Sequence, residues 1–373
     1  MFRPQIQKTR VLAMLALLNL VMVYWALNSY ERQRTFGFEV KSQAVQIMES
    51  TINSLRESFI QKAINTGTDS DSFGDFLIGP QNSIIQTTKG SQTSKQSVLN
   101  PDFAAMVTEM LIELEIDSSD RVAVSYTGSY PGANIAVLSA LEAIHAEAVI
   151  ISSCGASEFG ATNPEITWID MENYLFEKKV ISNRSYYASI GGGYDLGSQL
   201  GIEGRKICEK SIYSNGLELL NIGDLKKNIE SRIKYYNQDS QGNDIVLFIN
   251  VGGGIYSIGD SLKRQATPPG IIYPGDINSA KNQTVIERFL NDNIPIVNIN
   301  QIHVLTEWYE LPYPPDTKYQ FTTGSLFYSK KQYNPKVILL AFIISAGAVL
   351  ATGLISHREI KERMHSSEPE SII

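Results

Sequence analysis

Hydrophobic and polar positions along the chain form a pattern that is clearest between Arg121 and Ser153. Residues 122–124 begin an apolar run typical of a strand buried on both faces, and residues 127–129 end it with small polar side chains. After Pro131, apolar residues recur at helical spacing, and residues 148–151 return to strand character. A parallel pair of strands needs a crossover of this length, so the segment predicts a strand–helix–strand unit.

The same alternation continues through the middle of the chain. Further buried strands are predicted at 216–221, 244–254 and 294–299. The predicted helices are 38–64, 101–114, 164–177, 196–213, 224–236, 284–290 and 301–308. The predicted fold class is therefore α/β, with an open, mostly parallel, Rossmann-like sheet of about five strands. Ligands of such sheets bind at the carboxyl ends of the strands.

Two long apolar runs lie outside this region. Residues 11–27 follow three basic side chains and end in Tyr24 and Trp25, aromatic residues typical of a membrane interface. Residues 337–355 contain no charge. Both runs are predicted to be transmembrane helices. A cleaved signal peptide is the alternative for the first run, but no small-x-small cleavage site follows it.

These runs divide the chain into six predicted parts. They are a short basic tail (1–10), a transmembrane helix (11–27), an amphipathic stalk helix with a polar loop (28–100), an α/β domain (101–330), a second transmembrane helix (337–355) and a polar tail (356–373). Basic residues slightly favour the outer flanks of the two spans. We therefore expect a two-pass protein of the cell membrane, with cytoplasmic termini and an extracytoplasmic domain.

Composition restricts the partners of the domain. The chain carries a net charge of −7 and has an isoelectric point near 5.3, which argues against a nucleic-acid surface. Cys154 and Cys208 are too few for a disulfide framework and lack the spacing of a metal site. The two apolar runs make the lipid bilayer a predicted partner, and the acidic charge balance means that nucleic acid is not one.

Candidate chemistry is concentrated in four loops rich in glycine and hydroxyl side chains. The predicted ligand-binding residues are Thr127, Gly128, Ser129, Ser152, Ser153, Gly155, Gly191, Gly192, Gly193, Asp195, Asn250, Gly252, Gly253 and Gly254. Glycines allow backbone N–H groups to approach a ligand closely, which favours an anion. The alternative is that these glycines only permit tight turns. No loop matches a P-loop or GxGxxG, so no nucleotide or other cofactor is predicted.

A polar segment upstream adds positive charge to this prediction. Residues 84–95 are rich in Thr and Ser and contain Lys89 and Lys95. Either the segment is a solvated loop, or it closes over an anionic ligand at the edge of the sheet.

Catalytic patterns are weaker. Ser129 lies in GSYPG rather than GxSxG, and His145 near a helix end is ordinary for an exposed histidine. His303 and Glu307 have the spacing of two metal ligands, but no third ligand is indicated, so no metal site is predicted. Asp170, Glu172 and Asp195 are candidate acids or bases that spacing alone does not rank. Catalytic residues and enzymatic activity therefore stay undecided.

Several sequence blocks resemble a known family. They are VAVSYTGSYPGANIAVLSALEA, VIISSCGASEFGATNPEITWIDMENYL, RSYYASIGGGYD and NVGGG, together with TTKGSQTSK and NPDFAAM. In this order they are similar to the membrane-associated poly-γ-glutamate system proteins. The resemblance implies a bacterial accessory component that works with the ligase and membrane subunits that make and export this capsule-like polymer. It implies no catalytic residues.

Two other classes of function remain open. One is an amidohydrolase or transferase that trims or releases the polymer. The other is a sugar-phosphate binding module, because SYTGS followed by a helix is similar to the loop of sugar isomerase domains.

Overall fold

The computed structural model of the protein describes residues 9–62, 73–238, 244–279, 281, 283–316 and 318–365. The predicted basic tail lies outside these residues apart from positions 9 and 10, and the predicted polar tail lies outside them from residue 366 onward. The chain forms two compact units. One comprises Met1–Arg34 with Tyr328–Ile373, and the other comprises Thr35–Phe327.

Helices are numbered in chain order over the described residues. They are α1 Thr9–Leu27, α2 Phe38–Gln61, α3 Gln92–Ser97, α4 Asp102–Glu113, α5 Pro131–Ile144, α6 Trp168–Glu177, α7 Ile202–Ser214, α8 Leu225–Tyr236, α9 Ile255–Ile258, α10 Ser261–Ala266, α11 Val285–Asn291, α12 Ile302–Trp308 and α13 Pro335–His365. Short 3₁₀ turns occupy Asp75–Leu77 and Gly193–Asp195.

Strands are numbered in the same way. They are β1 Tyr30–Glu31, β2 Arg121–Thr127, β3 Glu147–Ser153, β4 Ser185–Ser189, β5 Glu218–Leu219, β6 Ile245–Val251, β7 Gly270–Ile272, β8 Ile296–Ile299 and β9 Gln332–Tyr333. Seven of them form an open sheet in the order β5-β4-β3-β2-β6-β8-β7. All neighbouring pairs in it are parallel except β7 with β8. The predicted open, mostly parallel α/β fold is confirmed.

The sheet has two more strands than the five predicted. The first is β4, which carries the polar sequence SYYAS and lies between β3 and β5. The second is β7, only three residues long, which adds an antiparallel edge. Neither segment has an apolar run long enough to be recognised as a buried strand.

Strand order places a topological switch beside β2. The chain builds outward from β2 to β5 and then crosses back through α8 to β6, which pairs with the other side of β2. At such a point the loops after the two central strands turn to opposite faces and leave a crevice at the carboxyl edge. All seven residues of β2 are buried, which fits its place at the centre of the sheet.

Helices cover both faces of the sheet. One layer contains α2, α4, α5 and α6, and Tyr126 of β2 meets Trp168 of α6 edge to face at 5.7 Å. The other contains α8, α9 and α11, where Phe248 of β6 stacks on Phe289 at 4.9 Å. The amphipathic helix predicted at 38–64 is present as α2, and it packs against α4 and α5.

The unit made of Met1–Arg34 and Tyr328–Ile373 contains two long apolar helices, α1 and α13, that pack together. These helices, Thr9–Leu27 and Pro335–Glu362, are long and apolar enough to cross a membrane, although an N-terminal signal sequence has the same properties. The antiparallel pair β1 and β9 joins them, with Tyr30 opposite Tyr333 and the two rings stacked at 4.8 Å. The end of α1 and the beginning of α13 therefore lie side by side.

Candidate functional site

A cavity of about 510 Å³ opens at the carboxyl edge of the large sheet. It is lined by Thr87, Thr88, Lys89, Gly90, Ser91, Thr127, Ser129, Tyr130, Ser153, Gly155, Ser157, Gly191, Gly192, Gly193, Asp195, Gln199, Gly253, Gly254, Ile255, Tyr256, Arg264 and Asn300. Residues 87–91 precede β2, and the other lining residues lie at or after the ends of β2, β3, β4, β6 and β8, whose carboxyl ends meet at this edge. The volume lies within the range of small-molecule sites.

Ten of the fourteen residues predicted from the loops line this cavity. They are Thr127, Ser129, Ser153, Gly155, Gly191, Gly192, Gly193, Asp195, Gly253 and Gly254. All four predicted loops contribute, because parallel strands bring their carboxyl ends to one edge. The other four residues, Gly128, Ser152, Asn250 and Gly252, lie behind the wall.

The residues behind the wall hold the loops in place. Asn250 donates from Nδ2 to Asn298 Oδ1 at 2.8 Å and accepts from Ser257 Oγ at 2.6 Å, which ties β6 to β8 and α9. Gly252 has φ +91°, and a Cβ there would overlap Thr127 Oγ1. Glycine therefore lets the loop after β6 turn tightly against the end of β2.

Ser152 has a similar supporting role on the other face of β3. Its hydroxyl is 2.7 Å from Ser185 Oγ and accepts from Trp168 Nε1 at 3.3 Å. These bonds are fully buried and link β3 to β4 and α6, so this hydroxyl is not directed toward a ligand.

One wall comes from residues 87–91, within the polar segment predicted to lie near the edge. The Thr87 N–H donates to Ala156 O and the Glu158 N–H donates to Thr88 O, both at 2.8 Å. These bonds hold the segment along the loop after β3. These residues are not among the ligand-binding positions predicted from the strand-ending loops, although their hydroxyl content and Lys89 are evident in the sequence.

A buried charge network forms the floor beneath Asp195. Arg232 of α8 donates from Nη2 to Asp195 Oδ2 at 2.7 Å, and its guanidinium lies 3.3 Å from the ring centroid of Tyr256. Ser189 donates to the other carboxylate oxygen at 2.7 Å, and Asn228 accepts from Arg232 Nε at 2.8 Å. The Asp195 carboxylate is thus neutralised within the protein.

Lys95 is a second buried basic side chain, and it lies behind the wall residues Ser129, Tyr130 and Ser157. Its Nζ donates to the backbone carbonyl of Ser129, lies 2.8 Å from Ser157 Oγ and sits 3.4 Å from the ring centroid of Tyr130. Among the described residues it has no carboxylate partner within ion-pair distance. Burial lowers the pKa of Lys95 well below its usual range, because the charged form loses its hydration.

Two hydrogen-bond donors in the wall lack partners among the described residues. They are Arg264 Nε and Asn300 Nδ2, both buried as atoms. Arg264 lies against Gly253 and close enough to Tyr130 to lower its pKa, but burial dominates and raises the pKa of Tyr130 to about 12. Unsatisfied buried donors cost free energy, so a ligand acceptor would stabilise this part of the wall.

The candidate histidines lie away from the cavity. His145 follows α5 and precedes β3, at the amino edge of the sheet opposite the cavity. His303 and Glu307 are exposed on α12, and the described residues contain no cluster of three or more potential metal ligands.

Asp170 and Glu172 have structural environments in α6. Asp170 completes a capping box with Thr167, and neither carboxylate lines the cavity. Glu172 Oε2 accepts from the Ser185 N–H at 3.1 Å, and burial raises the pKa of Glu172 to about 7.

The fold and cavity define an α/β protein with a polar, ligand-sized site at the switch point of its sheet. Lys89 and Arg264 leave the described wall positive, since its one carboxylate, Asp195, is paired with Arg232. In comparisons with known proteins, no family model, curated protein or solved structure matches the chain.

Proposed function

We propose that the protein is a membrane-anchored accessory component of poly-γ-glutamate synthesis and export, whose α/β domain binds an anionic group of the polymer at the carboxyl edge. The anion is a glutamyl carboxylate. The proposal joins the sequence resemblance to the chemistry of the cavity, because the resemblance supplies the pathway and the cavity supplies the charge preference.

The unpartnered donors of Arg264 and Asn300 are the observation that carries the ligand chemistry. A carboxylate accepts a charge-assisted hydrogen bond from a guanidinium and can accept a second bond from an amide. Lys89 adds exposed positive charge at the rim. This combination favours an anion over a neutral or cationic ligand.

Membrane attachment is proposed for both apolar helices. The packing of α1 against α13 and the β1–β9 pair that joins them support a two-pass anchor whose connected ends lie on one side. The charge bias of the flanks favours an extracytoplasmic domain. Protease added to intact cells should then cleave the domain. Cleavage only after permeabilisation would show that the domain is cytoplasmic.

Binding is tested with the full chain in lipid nanodiscs. Titration with γ-linked glutamate oligomers should saturate, and α-linked oligomers of equal length serve as the control for charge alone. Absence of saturable binding by any glutamate oligomer would reject the polymer as the ligand.

The ligase and membrane subunits of the polymer synthase are the proposed partners. Affinity purification of the tagged full chain from membranes of the native host should recover both subunits. Recovery of neither subunit would reject the proposed partners. The result of the ligand titration would still stand on its own.

A sugar phosphate is the second candidate ligand, favoured by the hydroxyl-rich wall. Thr87, Thr88, Ser91, Ser129 and Ser153 line the cavity, and hydroxyl groups both donate to phosphate and pair with sugar hydroxyls. Glucose 6-phosphate is therefore included in the titration. Tighter binding of this compound than of γ-glutamate oligomers would favour a sugar-phosphate module.

A further inference from the structure

Ser157 and Lys95 form a close pair that the anion-binding proposal does not use. Ser157 lines the cavity, and its Oγ lies 2.8 Å from Lys95 Nζ. Lys95 is 1% exposed and Ser157 is 9% exposed, so bulk water reaches the hydroxyl mainly through the cavity. A serine hydroxyl within hydrogen-bond reach of a buried amine is the arrangement of an activated nucleophile and its base.

Neighbouring groups fix both members of the pair. The Ser157 N–H donates to Ser129 Oγ at 3.0 Å, and Lys95 Nζ donates to the Ser129 carbonyl above the Tyr130 ring. Gly90 lies next to the hydroxyl, since a Cβ there would be 3.3 Å from Ser157 Oγ. The same Cβ would overlap the Glu158 carbonyl oxygen, so glycine at position 90 lets this segment pack closely beside Ser157.

We propose that Ser157 is a nucleophile and Lys95 its general base, and that the pair catalyses acyl transfer from an amide substrate in the cavity. The pair itself is independent of the ligand assignment above. The identity of the amide as a γ-glutamyl bond rests on the proposed function, because it needs the carboxylate site at Arg264 and Asn300.

Electrostatics supports this assignment of roles. Burial without a carboxylate partner lowers the pKa of Lys95, so a neutral amine becomes accessible closer to neutral pH than for an exposed lysine. A neutral amine accepts a proton, whereas an ammonium cannot. Arg232, which is paired with Asp195, has no such role.

The reaction balances without a further reagent. Ser157 Oγ bonds to the amide carbonyl carbon while its proton moves to Lys95 Nζ. The tetrahedral adduct then breaks its C–N bond, and the Lys95 ammonium returns the proton to the leaving nitrogen. Water, activated by Lys95 in the same way, hydrolyses the Ser157 ester to a carboxylate, or an incoming amine forms a new amide.

A fluorophosphonate probe tests the pair without a known substrate. The native full chain in nanodiscs should be labelled, and mass mapping should place the adduct on Ser157. Ser157→Ala and Lys95→Arg should each reduce the labelling rate by ~100-fold or more, the size of a general-base contribution. Labelling of the native protein should rise with pH through a pKa below the ordinary lysine value of about 10.4.

Matched controls separate chemistry from folding. Ser50→Ala on the exposed face of α2 and Lys206→Arg on α7 should label like the native protein. Thermal melting checks that Lys95→Arg remains folded. If it does not, Lys95→Met, which leaves no buried charge, replaces it and should show the same loss of labelling.

Three outcomes would overturn the proposal. They are no labelling of the native protein up to pH 10, labelling that persists in Ser157→Ala, and a folded Lys95→Arg variant with native rate and pH profile. Labelling of Ser157 together with failed γ-glutamate binding would retain the catalytic pair and remove the polymer as its substrate.

Discussion

Two buried basic side chains that contact the wall of one cavity, Arg232 and Lys95, differ in their partners. Arg232 has a carboxylate at 2.7 Å, two further hydrogen bonds and an aromatic ring beneath it. Lys95 contacts only uncharged groups, which are a backbone carbonyl, a serine hydroxyl and an aromatic ring. A guanidinium stays charged and must be paired when buried, whereas an amine can lose its proton. The first arrangement stabilises a fold, and the second leaves a group able to react.

The largest effect should come from breaking the Arg232 pair. Arg232→Met leaves the Asp195 carboxylate buried without its counter-ion, and we expect the free energy of unfolding to fall by about 3–5 kcal/mol. Urea denaturation of the full chain in detergent measures this change.

A paired variant and a surface variant provide the controls. Asp195→Asn combined with Arg232→Met should recover part of the lost stability, because no charge then remains unpaired. Lys206→Ala, which breaks an exposed ion pair, should change stability by less than about 1 kcal/mol. A loss of that small size in Arg232→Met would contradict the structural role of the network.

Glu172 extends the comparison to a buried group of opposite charge. Because its pKa is raised from 4.5 to about 7 in the folded protein, the folded state binds the proton more tightly than the unfolded state. Its contribution to stability should be present below about pH 4.5 and decrease by up to about 3 kcal/mol as pH rises to 7.

Glu172→Gln removes this ionisation while retaining an acceptor for the Ser185 N–H. Urea denaturation at pH 4.5 and 7.5 should therefore show a smaller decrease for the variant than for the native protein. Equal pH dependence of the two proteins would show that Glu172 ionises in the folded state as readily as in solution.

Lys95→Met should cost less than Arg232→Met because no buried charge is left behind. The loss of two hydrogen bonds predicts a decrease of about 1–2 kcal/mol. Since the folded pKa of Lys95 is lowered, the unfolded state binds more protons, and native stability should rise with pH toward about 10.4. The difference between native and variant stability across pH 7 to 10 isolates this contribution, and a difference that stays constant would contradict it.

Arg264→Met should have the smallest effect on folding and a selective effect on binding. Arg264 is half-buried with an unpartnered Nε, so we expect stability to change by less than about 0.5 kcal/mol. Anion affinity should fall by about tenfold, equivalent to about 1.4 kcal/mol. Calorimetric titration of γ-glutamate oligomers into both proteins measures the change, and equal affinities would place the carboxylate elsewhere.

The sequence predicted the edge of the sheet better than its detailed chemistry. Strand-ending loops such as 127–129 and 250–254 could be placed together, because parallel strands share one carboxyl edge. The pairing of Arg232 with Asp195 could not be predicted from the sequence. These residues are 37 positions apart and meet only after β4 and α8 pack.

Lys95 and Ser157 illustrate the same limit. Lys95 was visible as a positive charge in a polar segment, and Ser157 as a hydroxyl in a strand-ending loop. Their approach depends on the backbone hydrogen bonds between 87–88 and 156–158, which follow no periodic pattern. Burial, which changes the chemistry of the amine, is a property of the packed fold alone.

The titration of the Lys95 amine tests the contrast between the two buried basic side chains most directly. Full chain labelled with ¹³C at lysine Cε should show one resonance that is lost in Lys95→Arg, and its pH dependence can be followed by nuclear magnetic resonance. We predict that this resonance titrates well below the other lysines. Titration together with them, near pH 10.4, would show that Lys95 remains charged like Arg232 and would contradict the account.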